Sequence, residues 1–223
     1  KISNPIVYLC YVQIIMGVLA LSTLLIYGNT FNLMQWLLEN LDKDANGYLL
    51  FNLSSNGIAL LVMFPTTFCA GMTLPIITTI LLGVRGEKSI GSVYAWNTIG
   101  AIIGILIAIH IGMPYLGLKG LINLGAGIDI ILGVLLLTVF SHSKNKLILK
   151  SALSVFGVLA LIYALFVIEL DSLKMGSGVF RGRDSFFNSE ENKVLFHQDG
   201  KTASISVIEH KALDGMLSVR TNG

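Results

Sequence analysis

The distribution of apolar residues constrains this chain more than any other feature of its sequence. From about residue 5 to residue 170 it consists mostly of apolar runs of roughly twenty residues, the length that a helix needs to cross the hydrocarbon core of a bilayer. Beyond residue 171 no such run recurs. Hydrophobic residues make up 54% and charged residues 13% of the chain, outside the usual range of water-soluble domains. We therefore predict an integral membrane protein with a soluble tail.

The apolar runs predict about five membrane spans, at residues 5–28, 56–83, 90–113, 118–140 and 148–170. Between the first two spans, residues 31–41 have the pattern of a short amphipathic helix lying on the bilayer, with Trp36 at the interface. The second span contains Pro65 and Pro75. Because proline removes a backbone donor, we consider a broken or re-entrant segment there.

Basic residues near the ends of the spans predict an orientation. Five simple crossings place the following on one side: Lys1, Arg85, Lys88, Lys144, Lys146 and Lys150. The positive-inside rule makes that side cytoplasmic and puts the tail outside. A re-entrant second segment, or a further helix before Lys1, would change this orientation. The net charge of only +2 implies no nucleic-acid surface.

The third and fourth spans have the composition of a tightly packed antiparallel pair. Small residues recur every four positions in the third span, which lets helix backbones approach closely in lipid: Gly100, Gly104, Ala108 and Gly112. This pairing would place Asp129 of the fourth span near Thr98 and Ile102. A carboxylate near the bilayer midplane is a functional candidate, although a structural aspartate tying helices together is the simpler interpretation. Asn97 and His110 are further intramembrane polar candidates, with packing as their simpler role.

Beyond residue 170 the apolar period changes to two. Residues 194–197, 202–209 and 216–221 read as three strands, joined at Asp199-Gly200 and Asp214-Gly215, which supply the positive φ angles of tight hairpins. Ile205, Val207, Leu217 and Val219 are predicted to share one face of this meander. Three strands alone are marginal, so the sheet needs a partner layer.

The predicted fold class is therefore mostly α: a polytopic transmembrane helical bundle followed by a small antiparallel β meander that begins a truncated α/β domain. The domain boundaries are a transmembrane helical region at 1–170, a linker at 171–193 and a β-sheet at 194–223. The chain starts at Lys1 and stops at Asn222-Gly223, a turn dipeptide, so we expect that both ends are cut.

A calcium-binding loop is a weaker possibility at residues 42–48. Asp42, Asp44 and Asn46 provide oxygen ligands at alternate positions, and Gly47 occupies the sixth position, as in the first half of an EF-hand loop. The twelfth position, which needs a bidentate glutamate, is Leu53. A polar turn that caps a helix is the alternative interpretation.

Four stretches of the chain carry a family resemblance. They read FPTTFCAGMTLP at 64–75, GSVYAWNTIGAIIG at 91–104, SGVFR at 177–181 and DGKTASISV at 199–207. In wording and in order they resemble the membrane-fused spermidine synthase-like proteins of bacteria. In that family a multi-helix membrane region precedes a polyamine aminopropyltransferase-type domain.

The resemblance implies a soluble domain that opens with a small sheet and continues into a Rossmann-like fold binding decarboxylated S-adenosylmethionine as co-substrate. The family transfers an aminopropyl group to a small diamine. The catalytic acids and the nucleotide loop are then expected beyond Gly223, so no catalytic or cofactor-binding residue is assigned here. The implied partners are the lipid bilayer, the following Rossmann-like domain and a polyamine, and the implied location is the bacterial inner membrane. Residues 199–203 depart from the soluble synthases, which usually carry a glutamine just past the Asp-Gly turn.

A transporter or channel is the alternative function. In this interpretation the proline-interrupted second span and Asp129 form a binding site near the midplane, and the tail is regulatory. A third possibility is a membrane scaffold with a degenerate soluble part.

Overall fold

A computed structural model describes residues 4–140, 147–181 and 191–221 of the protein. The predictions for Lys1, Lys144, Lys146 and the Asn222-Gly223 turn lie outside the described residues. In chain order the elements are α1 (Pro5–Asn40), α2 (Ala45–Arg85), α3 (Lys88–Ile107), a π-helical turn (Ala108–Gly112), α4 (Met113–Phe140), α5 (Leu147–Phe166), α6 (Ser172–Met175), a 3₁₀ turn (Val179–Arg181), β1 (Asn192–Asp199), β2 (Ser204–His210), a 3₁₀ turn (Lys211–Leu213) and β3 (Met216–Thr221).

Four helical stretches of the described chain are long and apolar enough to cross a membrane, which supports the prediction of a membrane protein. They are Pro5–Asn40, Ala45–Arg85, Lys88–Phe140 and Ile148–Phe166. The third stretch, of 53 residues, is interrupted at Gly117, whose φ of 65° is not helical. The count of five spans therefore stays a prediction that depends on how the chain passes this break.

The amphipathic segment after the first span was predicted wrongly as a separate helix. Residues 31–40 continue α1 without a break to Asn40. The apolar face of this extension is not on a lipid surface, because Met34 packs against Phe51 and Ile58 of α2 and against Val179. Burial of this face against α2 explains why the helix continues.

The second span is one continuous helix and not a broken or re-entrant segment, so that prediction is also wrong. The helix α2 runs for 41 residues through Pro65 and Pro75. Each proline removes a single backbone hydrogen bond, and transmembrane helices tolerate such losses. The helix starts at an N-cap, Asp44, and ends at Gly86, whose φ of 72° stops helix propagation.

The predicted close pairing of the third and fourth spans is found only beside their connection, where a Cβ on Gly112 would lie 2.6 Å from the Leu121 side chain of α4. Along the rest of its length the third span, as α3, packs against α2, while α4 packs against α1 and α5. A Cβ atom placed on Gly100 or Gly104 would meet nothing within 4 Å, so the small residues of α3 face no described helix. Thr98 and Ile102 are exposed and do not pack against Asp129. At the centre of the bundle the close approach is made by other glycines, on α1, α4 and α5.

Two fully buried isoleucines lie over these glycines and form the centre of the bundle. A Cβ on Gly133 of α4 would lie 2.6 Å from the Ile14 side chain, and a Cβ on Gly17 of α1 would lie 2.7 Å from the Ile130 side chain. Gly157 of α5 faces both isoleucines, at 3.1 Å and 3.3 Å from its hypothetical Cβ. Each isoleucine therefore fills a space that exists only because the facing residue has no side chain.

The tail forms the predicted three-stranded antiparallel meander, in the order β1-β2-β3. The second hairpin has the predicted positive φ angles, 50° at Asp214 and 77° at Gly215. The prediction is wrong for the first hairpin, because neither Asp199 nor Gly200 has a positive φ. The register aligns Phe196 with Val207 and Val207 with Val219, so the apolar residues share one face as expected. A bulge between Val194 and Phe196 shifts the first pairing.

We predict that Gly133→Ala destabilises the bundle, whereas Gly125→Ala on the same helix does not. The new methyl group at position 133 would meet the Ile14 side chain and the Cys10 carbonyl oxygen, 3.0 Å away, whereas position 125 has open space. The expected loss is about 1–3 kcal/mol in the free energy of unfolding, typical of overpacking. Thermal unfolding in detergent micelles measures it. Equal stability of the two variants would contradict this packing.

Candidate functional site

The sheet is attached to the bundle through the carboxylate of Asp199, the last residue of β1. Its Oδ2 accepts a hydrogen bond of 2.8 Å from the backbone N–H of Leu118. Leu118 follows the break at Gly117 and starts the long part of α4. The first N–H groups of a helix have no acceptor within the helix. A carboxylate that accepts a hydrogen bond from one of them acts as a helix cap and is favoured by the helix dipole. Asp199 therefore joins the first strand of the tail to the start of a membrane helix.

A small polar network surrounds Asp199 on the face of the sheet that packs against the bundle. The Ser204 hydroxyl donates to Asp199 Oδ1 at 2.6 Å, and His197 Nδ1 lies 2.8 Å from Ser206 Oγ. His197 Nε2 lies 3.6 Å from Asp199 Oδ1, which is too long for a hydrogen bond. Ser206 is only 2% exposed, so a substrate cannot reach its hydroxyl. The serine, histidine and aspartate thus resemble a hydrolytic triad in composition but have neither its geometry nor its access.

The sheet lies with its polar face toward the bundle and its apolar face outward. The inward face contacts the turn after α6, where a Cβ on Gly176 would lie 3.2 Å from Ser206 Oγ and 3.4 Å from the end of Ile208. The outward face carries exposed large apolar side chains: Phe196, Ile205, Leu217 and Val219. This arrangement is the reverse of a sheet whose hydrophobic face covers its own core. The exposed apolar face therefore indicates that a further layer of structure covers the sheet on this side.

The first part of the predicted linker, up to residue 181, is packed into the bundle. Ser177 and Val179 are fully buried, and the Phe180 ring meets Phe31 of α1 edge to face at 5.2 Å between centroids. Gly178 allows the turn with a φ of 76°. The first part of the predicted linker therefore connects the ends of α1 and α2 to the sheet.

The intramembrane candidates are not gathered into one site. Asp129 is half-buried in the middle of α4, Asn97 is exposed on α3, and His110 is exposed in the π-helical turn. His110 Nδ1 lies 3.1 Å from the Leu106 carbonyl oxygen of its own helix. Within the described ranges, no hydrogen bond or ion pair to Asp129 is found. Of the three residues, Asp129 is therefore the one that is partly buried in the bundle, and its carboxylate has no hydrogen-bond partner in the described residues.

The calcium-loop candidates form a helix start. Asp44 caps α2, since its Oδ1 accepts a hydrogen bond of 2.7 Å from the Gly47 N–H, and Asn46 already lies in the helix. The Asp42 carbonyl oxygen contacts the position that a Cβ on Gly47 would occupy, which explains the need for glycine there. The alternative interpretation, a capping turn, is confirmed. Among residues 4–140, 147–181 and 191–221, no three His, Cys, Asp or Glu side chains cluster as metal ligands, and calcium binding stays a prediction.

Comparison of the chain with protein-family models, with curated proteins and with solved structures gives no match. The stretches that carry the resemblance occupy separate places in the fold. Residues 64–75 lie within α2, 91–104 within α3, and 199–207 around the first hairpin of the sheet. The resemblance to the spermidine synthase-like proteins therefore rests on the sequence stretches themselves.

Sequence reasoning assigned Asp199 only to a turn and gave no role to His197 or Ser206. A signal was present, because residues 197, 199, 204 and 206 must share one face once the hairpin register is set. Four polar residues on one face of a short sheet indicate a polar contact surface. The partner of that surface, the start of α4, depends on the long-range fold and is not encoded locally.

We predict that Asp199→Ala releases the sheet from the bundle. The variant loses the charge-assisted hydrogen bonds of Asp199 with the Leu118 N–H and the Ser204 hydroxyl, and the loss of such a bond typically costs about 1.5–3 kcal/mol. Faster hydrogen exchange of the Leu118 amide measures the effect. Gln198→Ala, one residue earlier on the outward face, is the matched control and should leave that amide protected. Unchanged protection in Asp199→Ala would refute the docking role.

Proposed function

We propose that this chain is the membrane region and first sheet of an aminopropyltransferase-like protein of the bacterial inner membrane. In the complete protein an amine nitrogen attacks the aminopropyl carbon of decarboxylated S-adenosylmethionine. The carbon–sulfur bond breaks, methylthioadenosine leaves, and the amine releases a proton. The catalytic groups lie in an α/β domain beyond Gly223, and the bundle holds that domain at the membrane.

The observation that carries this proposal is the reversed orientation of the sheet. Its polar face contacts the bundle through Asp199 and lies against Gly176 at Ser206, and its apolar face, with Phe196 and Val219, points outward. In the described part of the chain, the outer edge of β3 pairs with no strand. A lead-in sheet that is fixed on one side and continued by an α/β domain on the other accounts for both features.

The sheet is attached to one end of the helical bundle. The sheet and α6 meet the bundle where α4 begins and α5 ends, and the Lys119 ammonium donates to the Leu165 carbonyl oxygen at 3.1 Å at this level. Arg85, Lys88 and Lys150 lie at the opposite helix ends. With those basic residues cytoplasmic, the sheet is on the external side of the membrane.

The proposal is tested with the natural full-length gene product in isolated membranes. We expect labelled decarboxylated S-adenosylmethionine and putrescine to give methylthioadenosine and labelled spermidine. Val207→Asp, in the centre of the outward face, should lower this activity strongly, because it places a charge where the next layer packs. Gln198→Asp, on the same face, is the matched control and should retain it. Absence of methylthioadenosine with the unmodified protein would contradict the proposal.

A transport function is the second candidate, and the half-buried Asp129 favours it. A carboxylate inside a bundle is costly, and Asp129 has no hydrogen-bond partner in the described residues that would explain its presence structurally. The continuous course of α2 removes the second element of the transporter hypothesis, a broken helix at the midplane. Asp129 is therefore the one remaining feature that supports a transport function.

For a transporter we predict that Asp129→Asn abolishes uptake of labelled spermidine into proteoliposomes, since the amide cannot carry the charge. His110→Gln, an exposed polar position, should leave uptake unchanged. Aminopropyl transfer by the full-length protein is expected to survive Asp129→Asn. Wild-type protein that gives no uptake above empty liposomes, or equal uptake by the Asn variant, would exclude a transport role of Asp129.

A further inference from the structure

A cleft of about 450 Å³ separates α1 from α2 at the end of the bundle that carries the sheet. Tyr27, Thr30 and Phe31 of α1 form one wall, and α2 forms the other. The roof is the Gly178–Phe180 segment with Met175. The cleft volume lies in the range of small-molecule sites, and the packing of Phe180 on Phe31 closes one end of it.

The chemistry of the cleft selects an uncharged, flexible occupant. None of its lining residues carries a charge, and most are aliphatic, aromatic or methionine side chains. The Thr30 hydroxyl is already used, because it donates to the Tyr27 carbonyl oxygen at 2.6 Å. A polyamine, which brings several positive charges, would lose its hydration without gaining a carboxylate. Methionine-lined walls adapt readily to an apolar chain.

The position of the cleft makes it continuous with the lipid-facing surface. Met63 lines the cleft and is 62% exposed, and its neighbours Leu60 and Phe64 are also exposed on α2. Tyr27 lies about 33 Å along α1 from Pro5 at the rise of an α-helix. With Pro5 at one boundary of a hydrocarbon core about 30 Å thick, the cleft lies at the opposite boundary, on the side of the sheet. A lipid of that leaflet can reach it without leaving the bilayer.

We propose that this cleft binds one acyl chain of a membrane lipid from the leaflet on the sheet side. The chain would lie between Ala59 and Phe31 and end beneath Met175 and Val179. The roof of the cleft leads directly into Gly176, which contacts Ser206 of the sheet. The bound acyl chain would thereby support the segment that joins the bundle to the sheet. This inference does not depend on aminopropyl transfer or on transport.

Photocrosslinking tests the proposal with the full chain in phospholipid nanodiscs. The probe is a phosphatidylglycerol with a diazirine at the end of one acyl chain, and adducts are located by peptide mass spectrometry. We expect adducts on Met175, which is half-buried and lines the roof of the cleft, above the level on exposed Ile102 and Ile105 of α3. Unlabelled phosphatidylglycerol should compete, whereas spermidine should not.

The variant Ala59→Trp fills the cleft and should remove the Met175 adducts, whereas Ala101→Trp on exposed α3 is the matched control and should keep them. If Ala59→Trp does not elute as the folded protein, Ala59→Leu takes its place with a partial loss expected. The proposal would be overturned if Met175 were labelled no more strongly than Ile102 and Ile105 of α3. It would also be overturned if Met175 were still labelled in an Ala59→Trp variant that folds. Removal of the adducts by spermidine would also overturn it, in favour of an amine site.

Discussion

The rest of the structure depends on the contact between two isoleucines and three glycines. Lipid tails are as apolar as side chains, so helices in a bilayer are held by close packing and not by a hydrophobic force between them. Ile14 lies over Gly133 and Gly157, and Ile130 lies over Gly17 and Gly157, which brings α1, α4 and α5 together at one level. With these helices fixed, the start of α4 and the end of α5 meet, as the bond from Lys119 to the Leu165 carbonyl shows.

The sheet then has a defined place to attach. The break at Gly117 exposes a helix start whose N–H groups need acceptors, and Asp199 supplies one to Leu118. The Gly176 turn contacts Ser206 and Ile208 from a second direction. Two contacts far apart in sequence fix the orientation of a three-stranded sheet that would be only marginally stable by itself. The bundle therefore provides the layer that stabilises one face of the sheet.

The sequence predicted the elements better than their partners. The period of two and the turn residues were sufficient to predict the meander, although only Asp214-Gly215 of the two Asp-Gly pairs has the positive φ angles expected of a tight hairpin. Of the glycines spaced along the third span, only Gly112 makes the predicted close contact with α4, and Gly17, Gly133 and Gly157 make the contact at the centre of the bundle. Small residues permit close approach on any helix, and the choice among helices depends on the matching isoleucine, which is distant in sequence. The continuation of α1 past Gly28 was missed for a similar reason, since burial of Met34 against α2 outweighs the local amphipathic pattern.

The outward position of the apolar face follows from the contact between Asp199 and the start of α4. Side chains alternate along a strand, so Asp199, Ser204 and Ser206 must share one face, and Ile205 and Val207 must share the other. Once Asp199 binds the start of α4, Ile205 and Val207 of β2 and their partners on β3 cannot face the bundle, whereas Ile208 lies on the inward face and is buried there. A shift of one residue would bury them, but it would remove the cap from Leu118 and leave its N–H and the polar residues unmatched. The contact with α4 therefore determines which face of the sheet remains exposed, and that face is the hydrophobic one.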